Sequence, residues 1–597
     1  MKLIPHDQVN LKSGFFFDKQ ELNRKTTIHA VYDRFAETGR IGAFKFGFPE
    51  KDPIQPHFFW DSDVAKWMEG VAYILHLNPD PDLEAKVDEI VDDIEKNQGE
   101  DGYFNIFFTV VQPENRWSNR DWHELYCAGH LMEAAVAYAR ATGKTKFLTC
   151  MEKYADYIAK VFMEEHSANF HTPGHEELEL ALVKMYRYTG KKKYLDMAAH
   201  FINTRGTVEE ANKNNYNQSH LPVRDQESAE GHAVRAVYLY TGMAYLAAET
   251  GDEALISACK KLWEDVTRRK MYITGGLGST YIGEAFTTPF DLPPDQAYTE
   301  TCAGIALCLF AGGMLALDHD AAYADVIERA LYNGVASGLS VSGDQFFYEN
   351  PLEINLSERF SSVWGARRFP AHRRVACFAC SCCPPNVNRL FASLGGYVYG
   401  LEGDTLYVNQ FAASEMTDGD VTAEIETAYP LDGAVVVTAK GVSKIAIRIP
   451  AWCDHYTVSK PYTLHKGYAL VDNDGTPITV TFDLTPRLIW ADPRVLRAAG
   501  QAAIMKGPIV YCAEGVDNGE ASLHSYTLPQ DFTAEEHLHS AYGLPTLTVA
   551  CTKQVTQDEG LYRNTPPKTE AAELKLIPYY AFANRAETDM RVWFYTK

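Results

Sequence analysis

The 597-residue chain has no basic excess: 56 Lys and Arg stand against 79 Asp and Glu, a formal net charge of −23. A surface that holds nucleic-acid phosphates needs the opposite sign, so nucleic acid is excluded as a partner. No uninterrupted apolar run reaches the roughly 18 residues of a membrane span. The start, MKLIPHDQVNLKSGFFFDKQ, has no apolar stretch of signal-peptide length, because Pro5, His6 and Asp7 interrupt it. These absences predict a soluble, cytoplasmic protein with no membrane partner. Cysteine is sparse as well, at 12 residues. That number does not suit a disulfide scaffold in so long a chain, and a reducing compartment would keep the residues as thiols. What is present, 46% hydrophobic and 12% aromatic, is an ordinary globular composition, and the length calls for two to four domains.

From about residue 20 to 400 the apolar pattern is helical. Val64, Trp67, Met68, Val71, Ala72 and Leu75 form one stripe with Asp61 or Ser62 placed to cap it. Leu83, Val87, Ile90, Val91 and Ile94 form the next, across the short NPDP connection. Helix pairs recur in GHLMEAAVAYARATGKTKFL, GHEELELALVKMYRYTGKKKYL and GHAVRAVYLYTGMAYLAAETGDEAL, each broken at a Thr-Gly turn. A fourth unit, CAGIALCLFAGGMLALDHDAAYADVIERAL, keeps the rhythm without the Gly-His. Pairs that cannot bury their own apolar faces must stack. About six of them predict an (α/α)6 barrel over residues 10–400, with an open solenoid as the alternative. Beyond 400 the period becomes two, as in AVVVTAKG, KIAIRIPAW and PITVTFDL. We therefore expect a β-sandwich domain over 401–500 and a second small β-sandwich domain over 501–597.

The scarce cysteines are concentrated. CFACSCCPPN, residues 377–386, holds four of them within seven positions. Upstream, PPDQAYTETCAGI places Glu300 and Cys302 two residues apart at a helix start, and GGLGSTYIGEAF puts Glu284 in a Gly-rich loop where a carboxylate is free to face a cavity. Soft thiolates with one carboxylate suit zinc, and Glu300, Cys302, Cys382 and Cys383 would complete four positions. A structural zinc on the more familiar C-x-x-C pair, Cys377 and Cys380, competes with that set. Cys127, Cys150, Cys259, Cys308, Cys453, Cys512 and Cys551 read as small buried hydrophobes. Four histidines, His123, His130, His175 and His232, stand near repeat starts, where a toroid would point them at one cavity. His130 lies a turn deeper and reads as packing. A cavity lined by His, Glu, Tyr and Trp suits a sugar.

GEAF, YTETCAG, FYENPL, CSCCPPN, PVRDQESAEGHAVR and IPYYAFANR together resemble the β-L-arabinofuranosidases of glycoside hydrolase family 127, from FWDSDVAKW at residue 59 to the last strand. The resemblance implies an (α/α)6 barrel followed by β-sandwich domains. It makes Cys382 the nucleophile and Glu284 the general acid/base, puts zinc on Glu300, Cys302, Cys382 and Cys383, and places His123, His175, His232 and Tyr348 around the sugar. Cys377 is not part of that pattern. The implied activity is exo-acting, retaining release of L-arabinose from a small oligosaccharide or arabinoside. Hydrolysis of another furanoside or rare plant cell-wall sugar is the alternative on the same fold. A non-catalytic, zinc-stabilised carbohydrate-binding protein and a zinc hydrolase using metal-bound water are alternatives of other classes. A homodimer is left open, with the terminal β unit as its surface.

Overall fold

A computed structural model describes all residues except 48–54, 357–369, 377, 379, 520–521 and 556–561. Six helices carry most of the buried side chains of the N-terminal part: α1 (Trp60–Leu77), α2 (Glu124–Thr142), α3 (Leu178–Thr189), α4 (Ala233–Thr250), α5 (Thr301–Leu317) and α6 (Cys383–Ala392). Each packs against the next in this order, and α6 packs back on α1. A second set lies outside them. Pro81–Asn97, Lys146–Ala159, Lys192–Thr204, Glu253–Asp265 and Ala321–Ala330 cover α1 to α5 in turn, and Ile28–Glu37 touches α1 and α6.

The periodicity explains the two sets. The outer helices are apolar on one stripe, as in Leu83, Val87, Ile90, Val91 and Ile94, while the inner helices are buried nearly all round. The Thr-Gly turns end α2, α3 and α4 as expected. Gly143, Gly190 and Gly251 adopt φ of 74°, 69° and 68°, the left-handed cap a glycine takes without steric cost. Gly129 is required for a different reason: a Cβ there would stand 2.8 Å from the Leu178 backbone nitrogen, so its absence lets α2 approach the start of α3. The expected cap at Asp61 is not formed. This residue lies inside α1, and its Oδ1 accepts from the Ile106 amide at 3.1 Å.

After the helices the chain builds sheets. One six-stranded sheet runs Lys2–Leu3, Tyr399–Glu402, Thr405–Val408, Lys444–Arg448, Tyr468–Asp472, Thr463–His465. The other runs Tyr456–Val458, Ile478–Phe482, Ala434–Lys440, Val421–Thr427, Ala413–Asp418, Val9–Ser13. The first residues of the chain therefore complete sheets made mainly from residues 399–482. Ile445 and Ile447 of one sheet and Ile478 and Val480 of the other are fully buried in one shared core.

The last sheet starts at Arg487–Trp490. Its strands Gln501–Lys506, Phe594–Thr596, Tyr526–Leu528, Leu544–Gln554, Thr569–Pro578 and Ile509–Glu514 pair in that order, and the last pairs back on the first. A closed ring of strands thus stands where two facing sheets were expected. Alternation in the sequence fixes which residues face inward, but both arrangements satisfy it. Among the described residues no helix is long and apolar enough to cross a membrane.

Candidate functional site

The inner helices bring their N-terminal ends together. His232 is the N-cap of α4, and its ring accepts from the Val234 and Arg235 amides. His123 is the N-cap of α2, and His175 lies three residues before α3. Glu300 is the N-cap of α5 with Cys302 in its first turn; Cys382 is the N-cap of α6 and Cys383 its first residue. Helix N-termini carry unpaired N–H groups and positive potential, which favours carboxylates and thiolates. Pro384 and Pro385 sit with Cys383 in the first turn of α6, where the missing N–H groups would have had no intrahelical partner.

Four ligand atoms, from Glu300, Cys302, Cys382 and Cys383, lie within 4.8 Å of one another. The Cys302 and Cys383 sulfurs are 3.3 Å apart, those of Cys382 and Cys383 3.8 Å, and Glu300 Oε1 is 3.5 Å from Cys382 Sγ. Burial, and then the charges of Cys382 and Glu284, push the Glu300 carboxyl well above its usual range. Burial also opposes ionisation of Cys302, yet hydrogen bonds from Cys382 and Cys383 bring it down to about 6, while burial and the Cys302 and Cys382 sulfurs drive Cys383 up. The other carboxylate oxygen of Glu300 is buried and accepts no hydrogen bond. Three thiols and a carboxylate with an orphaned oxygen, packed this closely, are the donor set that a tetrahedral, thiophilic dication satisfies, so the residues fit zinc.

Glu284 stands across from the thiols. Its Oε2 is 3.0 Å from His232 Nε2 and accepts from the Tyr348 hydroxyl at 3.4 Å; that hydroxyl is also 3.4 Å from Cys382 Sγ. Tyr348 therefore touches both. The Gly-rich loop holds Glu284 through a bridge between Ala285 and His232 and a hydrogen bond from the Phe286 amide to Gly231. The backbone is left-handed at Gly283 (φ 71°) and Glu284 (φ 53°). His123, His175 and His232 form a row, with ring centres 5.5 and 5.6 Å apart. Burial, followed by the Arg235 charge, holds His123 down to about 3 and His175 well below its normal value.

The structure thus brings Cys382, Glu284, Glu300, Cys302, Cys383, His123, His175, His232 and Tyr348 to one end of the helical unit. His130 is separate: it lies inside α2, fully buried, 3.2 Å from Glu177 and 3.5 Å from Glu133. Cys380 is beside Cys382, whose hydrogen bond, with burial, raises its pKa. Cys377 lies outside the described residues.

Other residues of the site went unread in the sequence. Asn350, in FYENPL, accepts at its carbonyl from Thr299 Oγ1 at 2.5 Å and donates from Nδ2 to the Thr299 carbonyl at 2.9 Å. It thereby clamps a β-branched residue at φ 38°, immediately before Glu300. Tyr579, in IPYYAFANR, donates to the Asn350 and Pro351 carbonyls, and Phe582 stacks on Phe347 at 5.0 Å. The C-terminal sheet thereby buttresses the segment that carries Tyr348. Arg235, one turn after His232, donates to the Gly174 carbonyl at 2.5 Å and stacks on the Tyr216 ring at 4.4 Å. Its place in GHAVR, one helical turn past the histidine, was the available signal.

Comparison with known proteins gives the family. Residues 8–396 match the profile of the β-L-arabinofuranosidase GH127 catalytic domain, 405–465 that of the GH127 middle domain and 486–595 that of the glycoside hydrolase family 127 C-terminal domain. The chain is 36% identical to a non-reducing end β-L-arabinofuranosidase of Bifidobacterium longum subsp. longum, over 91% of this chain and 90% of that protein. The crystal structure of a GH127 β-L-arabinofuranosidase from Geobacillus stearothermophilus T6 superposes with a TM-score of 0.93 at 41% identity, covering 99% of this chain and 100% of that one. A second GH127 β-arabinofuranosidase structure superposes at 0.91 with 34% identity, covering 100% and 98%. With all three profiles in order along its length, this chain is a member of glycoside hydrolase family 127.

Proposed function

We propose that the protein is an exo-acting, retaining β-L-arabinofuranosidase that uses Cys382 as nucleophile and Glu284 as general acid/base. The fold in this reading is an (α/α)6 barrel, supported by the cyclic packing of α1 to α6, followed by a sandwich formed by the two six-stranded sheets. The observation that carries the mechanism is the Tyr348 hydroxyl lying between Cys382 Sγ and Glu284 Oε2. A pair bridged by one hydroxyl suits the separation of retaining glycosidases, on the order of 5 Å, better than the wider gap of inverting ones.

In this reading Cys382 Sγ attacks the anomeric carbon while Glu284 protonates the departing glycosidic oxygen. A thioglycosyl-enzyme results, and Glu284, now a carboxylate, deprotonates the water that releases arabinose. His232 orients Glu284 through the 3.0 Å contact. His123 and His175, kept neutral, donate from Nδ1 to the Asp121 and Glu176 carbonyls, which leaves each Nε2 as an acceptor for a sugar hydroxyl. Glu300, Cys302, Cys382 and Cys383 would hold zinc, whose chemistry there is to keep the thiol ionised at neutral pH.

The test is hydrolysis of an aryl β-L-arabinofuranoside, followed by acid quenching during turnover and peptide mass spectrometry. One anhydropentose on the peptide containing Cys382 is expected. An adduct on Glu284 or Glu300, or turnover of the β-D-configured analogue in preference, would refute the reading.

A further inference from the structure

Glu300 stands between two threonines, and one buried side chain binds both. Asn350 Nδ2 donates to the Thr299 carbonyl at 2.9 Å and to Thr301 Oγ1 at 3.0 Å. The Asn350 carbonyl accepts from Thr299 Oγ1, and its amide donates to the Tyr298 carbonyl at 3.3 Å. The pairing of the two segments continues past Glu300. The Thr301 amide donates to the Tyr348 carbonyl at 3.0 Å, Thr301 Oγ1 donates to the Phe347 carbonyl at 2.8 Å, and Glu300 and Glu349 form an antiparallel bridge. Asn350 thus closes the stretch that sets Glu300 beside Tyr348, whose hydroxyl touches Cys382 and Glu284.

What this clamp holds is strained. Among the described residues Thr299 is the one β-branched residue with positive φ, at 38°. Branching at Cβ disfavours that conformation, so an unrestrained backbone would leave it and turn the next peptide, which carries Glu300. Glycine would adopt it freely, but the threonine side chain has its own neighbours. A Cβ at Gly276 would stand 2.6 Å from Thr299 Cγ2, and the Thr299 amide donates to the Gly278 carbonyl at 3.1 Å, so the loop leading to Glu284 rests on this residue.

The clamp is anchored in turn. Ser337 Oγ donates to Asn350 Oδ1 at 2.7 Å, and Tyr579 of the C-terminal sheet donates to the Asn350 carbonyl at 2.8 Å. Each polar atom of Asn350 therefore has a protein partner, and its influence on the site passes through its neighbours. We propose that Asn350 is a positioning residue of the metal centre, which holds Thr299 in the left-handed region and thereby fixes the Glu300 carboxylate against the three thiols. The proposal rests on the reading of Glu300, Cys302, Cys382 and Cys383 as zinc ligands. It also makes the C-terminal sheet, through Tyr579, a support of that centre.

Zinc affinity at pH 7, measured by competition with a chromophoric chelator and without substrate, tests this in a double-mutant cycle. Asn350→Ala should bind zinc about tenfold or more weakly than wild type, the loss that removing the support of a metal ligand brings. Thr299→Gly removes the strain that Asn350 restrains, so in that background Asn350→Ala should cost less than about threefold. A role in packing alone predicts the opposite, because glycine widens the defect that alanine leaves. A folded Asn350→Ala protein with wild-type affinity would overturn the proposal alone, and so would an undiminished loss in the Thr299→Gly background. If Asn350→Ala by itself does not fold, that background decides: the small loss stated supports the proposal, and a larger one, or a double variant that also fails to fold, overturns it. A wild-type chain that binds no zinc would remove the metal reading and this proposal together.

Discussion

Among the described residues three groups of potential metal ligands occur; one, His232 with Glu284, shares Glu300 with the thiol cluster, and the two that share no residue differ in what neutralises them. The upper one, Glu300 with Cys302, Cys382 and Cys383, sits at helix N-termini, with an orphaned carboxylate oxygen and no arginine or lysine in ion-pair contact among the described residues. In the lower one, His130, Glu133 and Glu177, two protein cations pair with Glu133, while both Glu177 oxygens and both His130 nitrogens are buried without a hydrogen bond. Arg389 reaches Glu133 at 2.6 Å and Glu69 at 2.9 Å, and Lys184 adds a second pairing to each. Burial opposes ionisation of Glu133, but Lys184 and Arg389 hold its carboxyl well below the usual range; burial and the Glu133 charge push the Glu177 carboxyl well above it. Donor proximity alone does not make a metal site. Glu133 already holds two cations, whereas the three thiols and Glu300 have none in contact among the described residues and offer the softer donor set.

The largest effect that would break this contrast is on turnover. Cys382→Ser should lower kcat for an aryl arabinofuranoside by at least about a thousandfold with an unchanged circular dichroism spectrum. Glu284→Gln should cost about 10²–10⁴-fold on a natural disaccharide and far less on an aryl glycoside with a good leaving group, as steady-state kinetics on the two substrates would show. Equal losses would argue against acid catalysis. In the lower cluster, Arg389→Met leaves two buried carboxylates short of a cation and should cost about 3–5 kcal/mol in a denaturant titration.

The smallest effect concerns pH. His123 stays neutral in the folded protein down to about 3, whereas an unfolded histidine takes its proton near 6.5. Between those values the unfolded chain binds the extra proton, so stability falls as pH drops through that window. His123→Gln should make the slope of unfolding free energy against pH shallower by up to about 1.4 kcal/mol per pH unit there. An unchanged slope would mean that the ring is protonated in the folded protein.

How much of this was legible differs by residue. That Glu300, Cys302, Cys382 and Cys383 meet was readable because thiols and a carboxylate at two helix starts are a residue set a metal could use, and the fold then provides the proximity. The helix pairs were readable because a 3.6-residue stripe and a Thr-Gly stop are local signals, as Gly143 and Gly190 show. Asn350 acts on Thr299 from 51 positions away, and such a clamp has no periodicity. The same holds for Lys2–Leu3 and Val9–Ser13 joining sheets formed some 400 residues later and for the closure of the last strand ring.

Metal content decides between the two clusters most directly. Elemental analysis of the purified chain should find one zinc per molecule, lost in Cys302→Ser and retained in Glu177→Gln, an amide of the same shape for a carboxyl that burial pushes well above its usual range. Zinc that survives Cys302→Ser and disappears with Glu177→Gln would contradict the account.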